Sequence, residues 1–169
     1  MEKDDLKKFC SEESLRESFL TPWSKDKYSM ATNGMLVIRI PRLEDIPENP
    51  NAPDLFGIFP KNQPEDWFEI PPLPEEEYES CEECLGSGKA RYGKGKSPET
   101  CEGCDGKGKF LVKNQKIEIG SAVFAAWVLR MIADLPDVKI GPMKPGDPAW
   151  IKFNGGDGVI MQIRSQRRD

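Results

Sequence analysis

The sequence predicts an α+β fold in which a cysteine-rich module is inserted into a small domain of antiparallel strands with one core helix. Asn33-Gly34 separates two β-compatible runs, which indicates a hairpin. Residues 121–135 carry apolar side chains at helical spacing. Four of the five cysteines lie between residues 81 and 104. A length of 169 residues suits one such domain with one insert.

The first predicted element is a helix over residues 4–20. Ser14 and Glu17 form a capping-box pattern ahead of Phe19 and Leu20. Two short turns broken at Ser11 remain the alternative.

The hairpin covers residues 27–40, with Asn33-Gly34 as a type I′ turn, because both residues tolerate positive φ. Leu36, Ile38 and Ile40 alternate with less apolar positions, so the second strand is predicted to be buried mainly on one face. We therefore expect residues 1–40 to form the first part of the main domain.

Residues 41–80 contain nine prolines and little periodicity, which predicts an irregular arm. Apolar side chains are expected to fasten this arm to a core; they are Leu55, Phe56, Ile58, Phe59, Trp67, Phe68 and Ile70. The run "EEEYE" within it is interpreted as a solvated acidic stretch.

Residues 110–169 are expected to complete the main domain. The segment "KFLVKNQKIEI" predicts a hairpin in which Phe110 and Val112 face Ile117 and Ile119. A helix capped by Ser121 follows and supplies the centre of the core. Three closing strands are predicted in "VKIGPM", "AWIKF" and "GVIMQIR", with turns at residues 144–147 and 154–158.

The four clustered cysteines predict a zinc site. Their pattern, C-x2-C-x16-C-x2-C, is typical of two knuckles that share one tetrahedral metal, with Cys81, Cys84, Cys101 and Cys104 as ligands. A closed set of four thiolates leaves no position for an activated water, so one structural zinc is expected. Residues 81–109 would form this module, and Cys10 is interpreted as a small buried residue.

Other interpretations of the cysteines are weaker. A disulfide framework conflicts with the charged N-terminus "MEKDDLKKFC", which is not a secretory signal. A redox pair would sit before a helix that the pattern does not predict. An iron–sulfur cluster remains possible with four thiolates.

The cysteine motif resembles the CxxCxGxG repeats of DnaJ-type chaperones. The residues that match the consensus are Cys81, Cys84, Gly86, Gly88, Cys101, Cys104, Gly106 and Gly108. That family carries four repeats and two zinc ions, so two repeats imply one zinc. The family's partner-activating His-Pro-Asp tripeptide is missing from a chain without histidine.

The rest of the chain resembles one repeat of the bacterial DNA sliding clamp. "KYSMATNGMLVIRIP" is similar to that family's "ATDGHRL"-type hairpin, with Asn33 in place of the usual Asp. The predicted helix followed by Ala149–Phe153 and Val159–Arg164 is similar to its closing helix and strands. The resemblance covers residues 14–40 and 118–165 and implies a clamp-like domain connected with DNA replication or phage-related DNA metabolism. The family's basic inner surface has no counterpart, because the predicted helix contains only Arg130.

Charge limits where nucleic acid can bind. The net charge of the chain is −5, and the local net charge is −11 in residues 1–88 and +5 in residues 89–116. Any DNA contact is therefore expected at the basic side chains of the module, which are Lys89, Arg91, Lys94, Lys96, Lys107 and Lys109. A solvated surface loop explains these residues equally well. No segment has the run of about 20 apolar residues that crosses a bilayer, so a cytoplasmic protein without a membrane partner is expected.

The functional expectation is a non-catalytic, zinc-containing binding protein that acts through DNA or a DNA-metabolism protein. The alternative is a chaperone-like or assembly adaptor that holds polypeptide through the zinc module. An enzyme is not expected, because the sequence has no histidine, phosphate-binding loop or nucleophile elbow.

Overall fold

A computed structural model describes residues 1–12, 19–93 and 97–163. Two short α-helices, two 3₁₀ helices (Phe56–Ile58 and Glu102–Cys104) and twelve short strands run through this part of the chain. The α-helices are α1 (Lys3–Lys7) and α2 (Ala126–Ile132). The strands are β1 (Trp23–Lys25), β2 (Tyr28–Thr32), β3 (Leu36–Pro41), β4 (Tyr78–Ser80), β5 (Lys89–Ala90), β6 (Glu99–Thr100), β7 (Lys109–Leu111), β8 (Lys116–Ile119), β9 (Ala122–Ala125), β10 (Lys139–Gly141), β11 (Ala149–Phe153) and β12 (Gly156–Ile160).

The chain divides into two compact units. The first draws its described residues from Met1–Leu73 and Lys116–Asp169, and the second is Pro74–Gln115. The second unit is therefore longer at both ends than the predicted module of residues 81–109, and the arm predicted at residues 41–80 is divided between the units. No helix in the described ranges is long and apolar enough to cross a membrane.

A six-stranded antiparallel sheet forms the first unit, in the order β1-β2-β3-β12-β11-β10. The central contact joins β3 to β12, where Val37 pairs with Val159. These two strands are more than 110 residues apart in sequence, so the sheet is complete only when Leu36–Pro41 pairs with Gly156–Ile160. The mostly antiparallel strands and few helices agree with the coarse α+β prediction.

The sheet consists of two similar halves. In each half a short helix precedes a three-stranded antiparallel meander: α1 with β1–β3, and α2 with β10–β12. In each half an Asn-Gly pair lies between the second and third strands, at Asn33-Gly34 and at Asn154-Gly155. The third strands of the two halves pair with each other, which gives the sheet an approximate internal two-fold arrangement.

One face of the sheet holds the main core. Ala31, Ile38 and Ile151 lie on β2, β3 and β11 in one row across the sheet, in which Gly158 of β12 separates Ile38 from Ile151, and all three are fully buried. Leu129 of α2 and Leu6 of α1 belong to the same apolar cluster. The helices therefore pack on this face, where apolar burial is the main stabilising term.

The proline-rich arm covers the opposite face. The Phe59 ring lies 5.4 Å from that of Trp150, whose indole N–H donates to the backbone oxygen of Asn62 at 2.9 Å. Val37 and Val159 on this face are buried as well. The prediction that β3 is buried mainly on one face is therefore wrong, because the arm supplies the second layer.

The prediction of one long helix at residues 121–135 is also wrong for its first turn. Ala122–Ala125 form β9, which pairs with β8, and α2 begins only at Ala126. Ser121 is not the N-cap; it lies with Gly120 in the turn between β8 and β9, where Gly120 has φ +59°. The apolar run fits both periods, and pairing with β8 favours the strand.

The hairpin predicted at residues 109–119 does not form. Its first half, β7, pairs with β4 in the second unit, and its second half, β8, pairs with β9. The connection between β7 and β8 is thus a boundary between units and not a tight turn.

The turns within the two meanders also differ from the predicted ones. Three residues, 33–35, connect β2 to β3, and only Gly34 of the predicted turn pair has positive φ. Asn33 instead accepts a bond from the Met35 N–H at 2.9 Å, so the type I′ prediction is wrong. Between β11 and β12 the turn is Asn154-Gly155, and Gly156–Ile160 is already strand.

Within the described residues the helix predicted at residues 4–20 is not continuous, since α1 ends at Lys7. The predicted capping residues Ser14 and Glu17 lie outside the described residues, as do Arg164 and the C-terminal residues that follow it. Cys10 is buried as predicted, and burial raises the pKa of its thiol to about 11.

Candidate metal centre

The four predicted ligands meet at one point. Cys81, Cys84, Cys101 and Cys104 are buried, and their Sγ atoms all lie within 4.8 Å of one another. The Sγ atoms of Cys81 and Cys101 are 3.9 Å apart, and those of Cys84 and Cys104 are 3.7 Å apart. A tetrahedral zinc with bonds of about 2.3 Å places its sulfurs about 3.8 Å apart. The four thiols can therefore hold one metal ion, and all five cysteines of the chain are free of disulfides.

Each CxxC pair forms a tight knuckle. In the first, the Gly86 N–H donates to the Cys81 carbonyl at 3.2 Å, and the Gly88 N–H donates to Cys84 Sγ at 3.3 Å. In the second, the Gly108 N–H donates to Cys104 Sγ at 3.2 Å. These N–H···S bonds stabilise negative charge on sulfur, which is the form that binds a metal.

The fixed glycines of the motif hold the two knuckles against each other. Gly88 has φ +70°, and a Cβ placed on it would lie 2.2 Å from the Gly106 oxygen. Gly108 has φ +73°, and its Cβ would lie 2.3 Å from the Gly86 oxygen. Each repeat therefore needs its second glycine both for the backbone conformation and for close approach to the other repeat.

Short strands lead into and out of the knuckles. The β4–β7 ribbon joins the start of the first knuckle to the end of the second, and the β5–β6 ribbon joins the other two ends. The Cys81 N–H donates to the Gly108 oxygen at 2.8 Å, and the Cys101 N–H donates to the Gly88 oxygen at 3.0 Å. The second unit thus has its own two-fold arrangement around the sulfurs.

The thiols ionise unequally. Burial opposes ionisation of Cys84, but the Gly88 N–H and the neighbouring thiols outweigh it and lower the pKa to about 7. Burial and the Cys104 thiol raise the pKa of Cys101 to about 12, and burial also raises the pKa of Cys104. Full ionisation of the cluster therefore needs a cation to compensate the accumulating negative charge.

Tyr92 supports the cluster and was not identified from the sequence. Its ring packs against the cysteine cluster, and its hydroxyl accepts a bond from the Glu102 N–H at 2.6 Å. That bond favours the phenolate, but burial, the Glu83 carboxylate and the Cys101 thiol raise the pKa of Tyr92 to about 12. The neutral phenol can donate toward Glu83 or Cys101. Only its position between the two CxxC pairs could have indicated this role.

Little else holds the second unit together. Its buried cluster consists of the four cysteines and Ala90, with Tyr92 at the side. A unit of this size cannot bury enough apolar surface to fold alone, whereas a structural metal supplies that free energy. A metal ion held by the four cysteines would therefore supply the free energy that the apolar cluster lacks.

The basic residues are less concentrated than the sequence alone indicates. Lys89, Arg91, Lys107 and Lys109 are exposed, and Lys94 and Lys96 lie outside the described residues. Lys89 is on β5 and Lys109 on β7, so they belong to different ribbons. Lys109 Nζ stacks 3.9 Å above the Tyr78 ring. Their assignment to nucleic acid stays a prediction.

The first unit has an open cleft of about 480 Å³. Segment 62–68 of the arm and the loop at residues 142–145 line it, with Glu65, Asp66 and Lys144 as its charged side chains. In the parts of the chain that the structure covers, the cysteine cluster is the one group of three or more ligating side chains able to share an ion. The cleft therefore adds no second metal site there.

Comparison of the chain with models of known protein families, with curated proteins and with solved structures finds no match.

Proposed function

We propose that the chain is a non-catalytic binding protein with one structural zinc, held by Cys81, Cys84, Cys101 and Cys104. The observation that supports this best is the closed set of four buried sulfurs at tetrahedral spacing. Four protein ligands complete the coordination of zinc and leave no place for a substrate or an activated water. The bound zinc would hold the two knuckles together, and the exposed surface of the module would do the binding.

The proposed setting is DNA replication or phage-related DNA metabolism, through DNA or a replication protein. Its support is the sliding-clamp resemblance, together with the order of elements in the second half of the first unit. There α2 precedes a meander whose last two strands are Ala149–Phe153 and Gly156–Ile160, in agreement with the order implied by that resemblance. A fold hosts many activities, so salt-dependent DNA binding is the property that tests this setting.

Charge favours a protein partner over DNA for the second unit. Pro74–Gln115 contains nine acidic and seven basic side chains, a net charge of −2. A zinc ion with four thiolates adds a charge of −2, so the net charge of the zinc-bound unit is −4. A polyanion is repelled by such a surface beyond the immediate vicinity of single lysines.

Two assays separate the possibilities in the full-length, zinc-loaded protein. The first measures anisotropy of a labelled DNA duplex at two salt concentrations, with Lys94, Lys96, Lys107 and Lys109 changed to Gln as the test variant. Tight binding that weakens with salt and with these substitutions would assign the module to DNA. Weak binding that the substitutions leave unchanged supports a protein partner.

The second assay measures aggregation of a heat-denatured model substrate. Suppression by the zinc-loaded protein, lost on chelation, would favour the chaperone-like adaptor. Metal analysis accompanies both assays, and a content other than one zinc per chain would refute the structural site itself.

A further inference from the structure

The two knuckles share both cysteines, both glycines of the Gly-x-Gly pair and the glutamate after the first cysteine, and they differ at three positions. One of these is the residue after the second cysteine. This residue is Leu85 in the first knuckle and Asp105 in the second. Both adopt the left-handed conformation, with φ +50° and φ +48°. The second knuckle thus shows which kind of residue suits the position when only the fold matters, because Asp tolerates this conformation well and Leu does not.

Leu85 is unfavourable for the fold in two ways. Its backbone is strained, and its side chain is 87% exposed, the largest value among the exposed large hydrophobic residues of the described chain. It therefore gains nothing from burial within the module. An exposed apolar residue in an unfavourable backbone conformation does not stabilise the fold. Such a residue is expected to have a role in binding.

The knuckle presents Leu85 rigidly. The Gly86 N–H on one side is bonded to the Cys81 oxygen at 3.2 Å, and the Ser87 N–H is bonded to the Cys84 oxygen at 3.0 Å. A bound zinc would fix the cysteines that frame this turn. A rigid apolar side chain loses little entropy when it enters a pocket, which is how an interface anchor obtains its affinity.

The surroundings of Leu85 define the chemistry of its partner. Glu82 and Glu83 of the same knuckle are exposed, and the whole unit is acidic. We propose that this surface, formed by Glu82, Glu83 and Leu85, docks into a protein that offers an apolar pocket bordered by basic side chains. This proposal rests on the proposed binding function and names its surface and the class of its partner.

The test is a peptide selection with the zinc-loaded, full-length protein as bait. A displayed library of random peptides is selected on the wild type and counter-selected on Leu85→Asp. The counter-selection variant should fold well, because Asp is the residue found at the same position of the second knuckle. We expect enrichment of peptides that combine apolar residues with Lys or Arg. Their affinity should fall about 10- to 100-fold with Leu85→Asp, as burial of one leucine side chain implies.

Two further variants sharpen the result. Glu82→Lys should weaken the binding of basic peptides and leave the zinc content of the protein unchanged. Asp105→Leu is the matched control: it adds a leucine at the second knuckle and should leave wild-type binding at Leu85 in place. Peptides that bind Leu85→Asp as well as wild type, acidic peptides, or no enrichment after counter-selection would each overturn the docking surface. None of these results affects the zinc and DNA assays, so the two proposals fail separately.

Discussion

The Arg39 guanidinium lies 3.9 Å from the centroid of the Phe59 ring. The same group is 4.7 Å from the Tyr28 ring, and its Nη2 donates to Asp157 Oδ2 at 2.8 Å. Arg39 therefore connects β3, β12 and the proline-rich arm, with only 13% of its side chain exposed. Planar stacking and a two-point bond to a carboxylate are properties of arginine that lysine lacks.

Arg39→Lys should destabilise the first unit by about 1–2 kcal/mol, because lysine keeps the charge but loses the stacking and one of the two bonds. Urea unfolding followed by tryptophan fluorescence measures this, since Trp150 lies beside Phe59. The matched control is Arg42→Lys. Arg42 pairs with Glu48 at the surface, with side chains 41% and 63% exposed, so its change should stay within about 0.5 kcal/mol. Equal effects of the two variants would contradict the connecting role of Arg39.

Removal of zinc should unfold Pro74–Gln115 and leave the six-stranded sheet intact. The reason is that the second unit has almost no apolar core besides its cysteines, whereas structural zinc contributes about 10–16 kcal/mol of binding free energy in small domains. Hydrogen exchange measured by mass spectrometry, with and without a chelator, gives the result for each segment.

Cys101→Ser serves as a second route to the same state, because it removes one ligand without a chelator. Both treatments should raise exchange in β4 to β7 and leave β3 and β12 protected. Loss of protection in β3 and β12 under either treatment would show that the two units do not fold independently.

Gly88→Ala should impair zinc binding much more than Gly86→Ala. Both positions have positive φ, so each alanine brings a backbone cost of about 1 kcal/mol. Only at Gly88 would the new Cβ also lie 2.2 Å from a backbone oxygen, whereas at Gly86 its nearest neighbour is 3.7 Å away. Chelator competition should therefore give a lower zinc affinity for Gly88→Ala than for Gly86→Ala. Similar zinc affinities of the two variants would mean that the positive φ alone, and not the close approach of Gly88 to the Gly106 oxygen, requires glycine at these positions.

The local parts of this structure could be predicted from sequence. The clustering of the four cysteines follows from their spacing alone, and Ala149–Phe153 forms the predicted strand. Residues 122–125 were misassigned because Val123 and Phe124 suit a helix and a strand equally, and only the pairing of Phe124 with Ile117 decides.

The long-range parts could not be predicted. Pairing of Val37 with Val159 joins segments that no local pattern connects. The arm has no periodicity, so its place over Trp150 depends on single contacts such as the indole bond to Asn62. The similarity of the two sheet halves also stays hidden, because it lies in the order of elements and hardly in the residues.

Tyr92→Phe should weaken zinc binding by about 10-fold, the usual effect of losing a group that supports the ligands. The variant keeps the ring against the cysteines but removes the hydroxyl that accepts from the Glu102 N–H and lies beside Cys101. Tyr78→Phe is the matched control in the same unit, because its hydroxyl bonds to the Glu76 carboxylate. Chelator competition at constant pH compares the three proteins. If Tyr92→Phe and Tyr78→Phe bind zinc as tightly as wild type, the Tyr92 hydroxyl has no role at the metal; if both weaken it alike, the effect belongs to the fold of the unit.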